Sequence, residues 1–353
     1  MTRSEIAVRG AGPVGCAFAL AVARAGREVL LCAPAPPRPP APWRPIALSY
    51  ASRLILERLE AWALLAATPI RTVHVSQAGG FGRTRFDAAD AGVPALGYVV
   101  DYAALSAALE NLARARGIPI VSEAPPAALV VHAEGFAADA EEKTYGQEAV
   151  LARLACRPAA AHTAFERFTP EGPLALLPAD GSYALVWAMR PARAEALVGA
   201  PAETFLDALQ AAFGARAGRF VDVSERSRVP LALRVRASRI GVREAFIGNS
   251  AQTLHPVAGQ GLNLGLRDAW TLARLVAEAD DPGEARLLAR FAAARACDAR
   301  AAIGATDFLA GAFLAADAAS RAARGAALVA LDACAPARGL FARRMIFGAY
   351  ALP

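Results

Sequence analysis

Two glycine-rich stretches contain the residues best suited to bind a ligand. In the first, GAGPVG, Gly10, Gly12 and Gly15 have the spacing G-x-G-x-x-G between a short apolar strand and an apolar helix. This spacing permits a tight turn, close approach of backbone N–H groups to a pyrophosphate, and close packing of the helix on the strand. The context predicts a dinucleotide site, and an incidental glycine turn is the alternative.

The second stretch runs from Gly248 to Trp270 and reads GNSAQTLHPVAGQGLNLGLRDAW. In it, Gly259, Gln260 and Gly261 precede a segment whose apolar residues recur at helical spacing. Backbone N–H groups at a helix start lack partners and carry about half a positive charge, so they stabilise an anion. A reduced flavin ring, which carries negative charge near N1 and O2, is the predicted occupant. An ordinary glycine-rich helix cap is the alternative.

Some expected features of a dinucleotide site are replaced by other residues. The second strand ends at Cys32, where an acidic residue would bind the ribose hydroxyls, and a thiol is a poor acceptor there.

His255 precedes Pro256 and is a weak candidate for a catalytic base, because a structural role in a tight loop explains it at least as well. A second G-x-G-x-x-G is absent from the sequence, since GQGLNLG has a different spacing.

The order of elements predicts an α/β fold. An opening βαβ unit is followed by a strand-rich middle, a return strand at Ala245–Ile247 and helices from Leu262 onward. This order indicates a Rossmann-like nucleotide-binding domain with an inserted antiparallel β-sheet domain. The predicted nucleotide-binding domain comprises 1–70, 96–135 and 241–300, the sheet domain 71–95 and 136–240, and a C-terminal helical segment 301–353.

Composition excludes several other classes of protein. Of the 353 residues, 56% are hydrophobic and 20% charged, which favours a globular protein over a disordered one. The net charge of +6 comes almost entirely from arginine, and without a motif of interleaved aromatic and basic residues it does not predict nucleic-acid binding. Five scattered cysteines favour a reducing cytoplasm and predict neither a metal site nor disulfides. Charged residues interrupt every long apolar run, so no transmembrane helix is expected.

The second stretch closely resembles the second FAD motif of the ubiquinone-biosynthesis hydroxylases, which are para-hydroxybenzoate-hydroxylase-like flavoprotein monooxygenases. The resemblance extends over nearly the whole chain, through GAGPVG, RPIALSYAS, VSQAGGFGRTRFDAAD, ALGYVV, YGQEAV and FERFTPEGPLALLP. It implies a Rossmann-like FAD-binding domain with an inserted antiparallel β-sheet substrate domain and C-terminal helices. It also implies that the protein uses NAD(P)H and O2 to hydroxylate the aromatic ring of a polyprenyl phenol, which is a precursor of ubiquinone.

The resemblance implies roles for particular residues. Gly10, Gly12 and Gly15 would hold the FAD pyrophosphate, Arg44 would reach toward the flavin, and Asn249 would face the ribityl and pyrophosphate region. The isoalloxazine would lie along the segment Gly259 to Asn263. The full set of implied cofactor-binding residues is Gly10, Gly12, Pro13, Val14, Gly15, Arg44, Asn249, Pro256, Gly259, Gln260, Gly261, Leu262 and Asn263. The motif FTPEGPLALLP would form a wall of the substrate pocket.

The chain departs from the family pattern on the adenosine side of the cofactor. HAEGF, from His132 to Phe136, stands where the family has G-A-D-G with a following arginine, and Glu134 keeps only the acid. With Cys32, this leaves two alternatives to the hydroxylase: a non-catalytic or weakly FAD-binding accessory or assembly subunit, and a flavin oxidoreductase without oxygen insertion.

The C-terminal segment mixes arginines with apolar residues. It is consistent with a packed helical tail or with a surface that contacts an anionic membrane or a ubiquinone-pathway protein. The expected location is the cytoplasm, and contact with the inner face of the membrane is the second interpretation. The arginines are Arg321, Arg324, Arg338, Arg343 and Arg344.

Overall fold

A computed structural model describes residues 4–33, 43–135, 139–159, 161–254, 259–314 and 317–349, without the side chains of 308–314. The helices are α1 Pro13–Arg24, α2 Tyr50–Arg58, α3 Tyr102–Ala115, α4 Pro191–Gly199, α5 Ala202–Phe213, α6 Gly261–Ala277, α7 Ala285–Leu314, α8 Ala318–Ala333 and α9 Ala335–Phe347. Short 3-10 helices are Trp62–Leu64, Ala88–Ala91 and Gly248–Ser250.

The strands form three sheets within the described residues. They are β1 Ser4–Arg9, β2 Val29–Cys32, β3 Pro45–Ser49, β4 Thr68–Ile70, β5 Thr72–Gln77, β6 Arg83–Asp87, β7 Gly97–Asp101, β8 Ile120–Val121, β9 Ala127–His132, β10 Glu141–Arg157, β11 Thr163–Phe168, β12 Pro173–Ala179, β13 Ser182–Met189, β14 Arg219–Val235, β15 Ile240–Gly241, β16 Glu244–Phe246 and β17 Gln252–Thr253.

The first sheet has the order β15-β16-β9-β1-β2-β8 and is parallel except for β15. Parallel sheets are usually covered by helices, and here the apolar residues of β1, β2 and β9 share one core with α1, α3, α6 and α7. Ile6 and Val8 are fully buried, whereas Arg9 is exposed, because β1 ends there and the chain turns into the first glycine motif.

The larger sheet has the order β17-β14-β10-β13-β12-β11-β5-β6. Its pairing is antiparallel except between β11 and β5. One face carries Trp187 and packs on α4 and α5 through residues such as Phe205. The sequence pattern predicts only one helix in this region, near 202–212, whereas the structure has both α4 and α5. We call the opposite face, which carries Ala164, Leu177 and Leu151, the inner face.

A small sheet with the order β3-β7-β4 lies against the inner face. Ala47 of β3 and Val99 of β7 pack in one cluster with Ala164 and Leu177 of the larger sheet. These contacts bring the inner face close to the elements that carry the glycine motifs. The predicted α/β architecture, with an antiparallel sheet inserted into a Rossmann-like domain, is confirmed, while the domain boundaries remain a prediction.

The C-terminal helices pack on the outer strands of the larger sheet. Phe86 of β6 shares an apolar cluster with Ala342 and Ile346 of α9. Among the described helices, none is by itself long and apolar enough to cross a membrane. The pair α8 and α9, bent by 101°, meets the length and composition criteria when taken together.

Candidate functional site

The first glycine turn lies at the carboxyl ends of the parallel strands. Gly10 has a φ of +104°, and a Cβ there would come within 2.4 Å of the Ala133 carbonyl oxygen. A Cβ on Gly15 would lie 2.0 Å from the carbonyl oxygen of Gly10. At Gly12, by contrast, the nearest atom is the Tyr102 hydroxyl, at 3.9 Å. Two of the glycines are therefore required for close packing, while the middle one leaves the backbone open to a ligand.

The two glycine motifs meet at Val14. A Cβ on Gly265 of α6 would lie 2.8 Å from the Val14 side chain and 3.0 Å from the Cα of Gly248. Gly248 has a φ of +59°, and a Cβ there would also contact Val14. Because Val14 is in the first turn of α1 and Gly265 in the second turn of α6, the N-terminal ends of both helices lie near each other.

The N-terminal ends of α1 and α6 carry no side-chain cap. The N-cap residues Gly12 and Gln260 make no side-chain cap hydrogen bond, and neither helix has an acidic residue in its first turn. Neighbouring helices differ, since Ser49 caps α2 and Asp101 caps α3. The first-turn N–H groups of α1 and α6 thus remain available to an anion.

Asn263 fixes the second glycine turn against β3. Its Oδ1 accepts hydrogen bonds from the Ser49 N–H at 2.8 Å and the Ser52 hydroxyl at 2.7 Å. Its Nδ2 donates to the carbonyl oxygens of Ala47 at 2.9 Å and Gly259 at 2.7 Å. Since β3 is at the end of its sheet, the amide pairs with backbone groups that would otherwise lack a strand partner. The side chain is 2% exposed and is fully engaged by the protein.

Other predicted cofactor residues lie around these turns. Arg44 is exposed and stacks its guanidinium 5.2 Å from the centre of the Tyr102 ring, whose hydroxyl is near Gly12. Asn249 is exposed within the 3-10 helix that follows β16. Leu262 is half-buried against the main core. His255 and Pro256 lie outside the described residues.

The adenosine side is built differently from the expected pattern. The Cys32 thiol donates to the Ser122 carbonyl oxygen at 3.3 Å. The Glu134 carboxylate is 3.2 Å from His132 Nδ1 and 3.4 Å from the Ser250 hydroxyl. Burial tends to raise the pKa of Glu134, but the hydrogen bond with His132, its own backbone N–H and the positive charge of Arg9 together lower it. Glu134 thus remains ionised beside the Ser250 hydroxyl.

A buried charged cluster, not anticipated from the sequence, holds α6 in place. The Asp268 carboxylate, which is fully buried, accepts hydrogen bonds from Arg295 at 2.7 Å and Gln252 at 3.0 Å. Asp298 of α7 accepts from Arg267 at 2.8 Å and also pairs with Arg295. Burial raises the pKa of Asp298, but the two arginines outweigh it and the net shift is downward. The cluster joins α6 to α7 and to β17.

A cavity of about 240 Å³ borders this cluster at Arg267 and Arg295. Its lining includes Arg58, Trp270 and Phe347, which belong to α2, α6 and α9. None of the glycines at the two turns contributes to it, so it is separate from the space beside Gly12 and Gly261.

The residues at the two turns fit FAD. Apart from neighbouring residues of the chain and the backbone of α6 itself, no described atom lies within 4 Å of the place where a Cβ on Gly261 would stand, and a Cβ on Gly12 would have similar room. Backbone N–H groups at two uncapped helix ends suit a pyrophosphate at one end and an electron-rich ring at the other. The fold and the site together define a dinucleotide-binding α/β flavoprotein.

Comparisons with known proteins give the family. A family model described as FAD binding domain matches residues 127–306. Ubiquinone hydroxylase UbiL of Rhodospirillum rubrum is 30% identical over 96% of this chain and 89% of its own length. The 3-demethoxyubiquinol 3-hydroxylase of Escherichia coli is 29% identical over 80% of this chain and 82% of its own. The chain belongs to the FAD-binding monooxygenase family that includes these hydroxylases.

A solved structure supports the same fold. The p-nitrophenol 4-monooxygenase PnpA of Pseudomonas putida superposes with a TM-score of 0.77 over 98% of this chain and 99% of its own, at 16% identity. The predicted family, the FAD cofactor and the assignment to the FAD-dependent monooxygenases are therefore confirmed. The findings support catalytic hydroxylation and lend no support to the accessory-subunit alternative.

Proposed function

We propose that the protein is an FAD-dependent hydroxylase that uses NAD(P)H and O2 on a phenolic, prenylated precursor of ubiquinone. The substrate is inferred from the two bacterial relatives, whose names refer to ubiquinone and demethoxyubiquinol. The observation that carries the proposal is the meeting of two uncapped, glycine-led helix ends at Val14, beside the inner face of the larger sheet.

Each part of the site has a distinct task in this reaction. When bound, FAD accepts a hydride from NAD(P)H and activates O2 for transfer of one oxygen atom to an aromatic ring. The N–H groups at Gly12 bind the pyrophosphate, and those at Gly259 to Gly261 stabilise negative charge on the ring. Asn263 holds the second turn in place, and the inner face of the larger sheet covers the ring and excludes water.

Flavin content and oxygen incorporation test the proposal. We expect purified protein to show the absorbance of oxidised flavin, or to gain it on reconstitution with FAD. NAD(P)H should be consumed faster when a phenol is present, and one atom of ¹⁸O2 should appear in the product. Protein that stays colourless after reconstitution would favour an accessory subunit instead. Flavin that is reduced without incorporation of ¹⁸O would favour a simple oxidoreductase.

We also propose that α8 and α9 contact an anionic membrane surface. Val329 and Leu340 on these helices are 49% and 58% exposed, and Arg321 and Arg344 are exposed on the same pair of helices. Exposed apolar residues beside cations are typical of helices that lie in a membrane interface. More of the protein should sediment with phosphatidylglycerol vesicles than with phosphatidylcholine vesicles, and Leu340→Ser should lower the fraction bound to phosphatidylglycerol. Equal recovery from both would contradict membrane contact and favour a protein partner.

A further inference from the structure

Glu166 is a charged residue type in an otherwise apolar part of the inner face. Strand pairing places it directly between Val75 of β5 and Ala175 of β12, and Ala175 lies beside Val186 of β13. Side chains at paired positions point to the same face of a sheet, so these four form one row across the middle of the larger sheet. Thr84 of β6 continues the row beyond Val75.

The residues of this row are only partly covered. Val75, Glu166, Ala175 and Val186 all retain accessible surface, although the sheet's other face is sealed by α4 and α5. Oε1 of Glu166 is itself buried, and burial raises the pKa of this carboxyl group to about 8. The row is thus partly accessible on the inner face while one carboxyl oxygen is already shielded from water.

The row lies near the second glycine turn. Ala164, two residues before Glu166 on the same face and therefore about 7 Å away along the strand, packs in one cluster with Ala47. A Cβ on Gly259 would lie 3.6 Å from the Ala47 side chain, and the Ala47 carbonyl accepts from Asn263. Glu166 therefore lies one step along its strand from Ala164, which shares a cluster with Ala47, the residue next to the turn where the flavin ring is expected.

No described residue satisfies the Glu166 carboxyl group. Its Oε1 is buried without a hydrogen-bond partner among the described residues, as is the Thr84 hydroxyl. The cations on the inner face and on the elements packed against it have partners other than Glu166. Arg53 pairs with Glu57, Arg324 donates to Gln77 and Arg343 donates to the Ala91 carbonyl. Arg153 stacks on Trp43 and lies 3.9 Å from the Glu225 carboxylate, although its Nε makes no hydrogen bond within the described residues.

We propose that Glu166, as a neutral carboxylic acid, binds the ring hydroxyl of the substrate and makes the site select phenols over aromatic carboxylates. This inference rests on the proposed function and identifies the polar contact in its substrate pocket. A neutral carboxylic acid donates one hydrogen bond and accepts another, as a hydroxyl does, so the two groups satisfy each other. An aromatic carboxylate finds no free cation in the row, and the apolar Val75, Ala175 and Val186 suit an apolar ring substituent.

A matched pair of probes tests the proposal. FAD-loaded protein is titrated at pH 7 with 4-hexylphenol and 4-hexylbenzoate, and the change in flavin absorbance gives each Kd. The wild type should bind the phenol at least about 10-fold more tightly, as expected for one unmatched buried polar group. Glu166→Leu should lose about 10-fold in phenol affinity, whereas Glu166→Gln should keep most of it. Glu195→Gln, on the exposed surface of α4, is the control and should match the wild type.

The pH profile separates binding from a structural role. Wild-type affinity for 4-hexylphenol should fall as the pH rises past about 8, where Glu166 loses its proton, and affinity of the Gln variant should not. Glu166→Leu that keeps both its phenol affinity and its preference over the benzoate would overturn the inference while leaving the hydroxylase assignment intact. If FAD does not bind at all, the proposed function fails, and calorimetric titration of the same probes still measures the effect of Glu166.

Discussion

Replacement of Asn263 by alanine tests whether a side-chain amide completes the edge of β3. In Asn263→Ala, the Ser49 N–H and the carbonyl oxygens of Ala47 and Gly259 lose their partner. The Ser52 hydroxyl keeps the Ser49 hydroxyl as an alternative partner at 3.3 Å. In the variant, these three backbone groups either bind water or remain without a hydrogen-bond partner.

The expected loss of stability follows from these three groups. A buried polar group left without a partner costs about 1 to 3 kcal/mol, and water entering the space of the lost amide reduces that cost. We expect a loss of about 3 kcal/mol in the free energy of unfolding. For a chain of 353 residues, this corresponds to a fall in Tm of about 4 °C.

The assay is thermal unfolding of FAD-free protein, followed by circular dichroism, together with the Kd for FAD. Asn249→Ala is the matched control, because Asn249 is exposed and its truncation should change stability by less than about 0.5 kcal/mol. Asn263→Asp should be at least as unstable as the alanine variant at pH 7, because it sets a carboxylate against two carbonyl oxygens. An ordinary surface change alters the Tm by about 1 °C at most. The reasoning would be refuted if Asn263→Ala unfolded within about that distance of the wild-type Tm.

Three further substitutions probe other parts of the structure. Gly261→Asp should keep or slightly raise the stability of the fold, since an acid at a helix start is favourable by about 0.3–1 kcal/mol. The same charge should weaken FAD binding and lower the midpoint potential of the flavin, which dye-coupled reduction measures. Gly15→Ala should give a protein with little bound FAD and a lower Tm, because its Cβ would lie 2.0 Å from the Gly10 carbonyl oxygen; normal FAD content would contradict this. Glu166→Gln should become progressively more stable than the wild type between pH 5 and pH 8, by about 1 kcal/mol per pH unit. The sign follows because the folded protein holds this proton up to about pH 8, whereas the unfolded chain releases it near 4.5. Urea unfolding at several pH values measures the difference, and a constant gap would show that Glu166 is not buried as a neutral acid.

The glycine motifs could be recognised from the sequence because each is a local pattern. The turn at Gly10 needs a positive φ and close backbone contact, and these requirements are met within a few residues and the neighbouring strand. The start of α6 was likewise predicted, from Gly259, Gln260 and Gly261 ahead of apolar residues at helical spacing. Local patterns therefore sufficed to predict a dinucleotide site and a flavin, while the order of elements predicted the α/β class and the family resemblance implied FAD.

Other features depended on pairings between distant parts of the chain. Asn263 was predicted to line the flavin, but its side chain serves β3, 214 residues away, and nothing local indicates that choice. Glu166 lies in a strand whose side chains alternate between the two faces of a sheet, but the alternation does not tell which face is covered by helices. Only the register with Val75 and Ala175, and the packing of α4 and α5 on the opposite side, decide that it faces inward.

The sequence by itself thus determined the two glycine-rich turns, because the backbone conformation of a turn is set by neighbouring residues. Tertiary structure alone decided that the turns meet at Val14 and that Glu166 lies on the inner face of the larger sheet. The physical reason is that side-chain burial and strand register arise from long-range packing, in which each residue's environment is supplied by segments far along the chain.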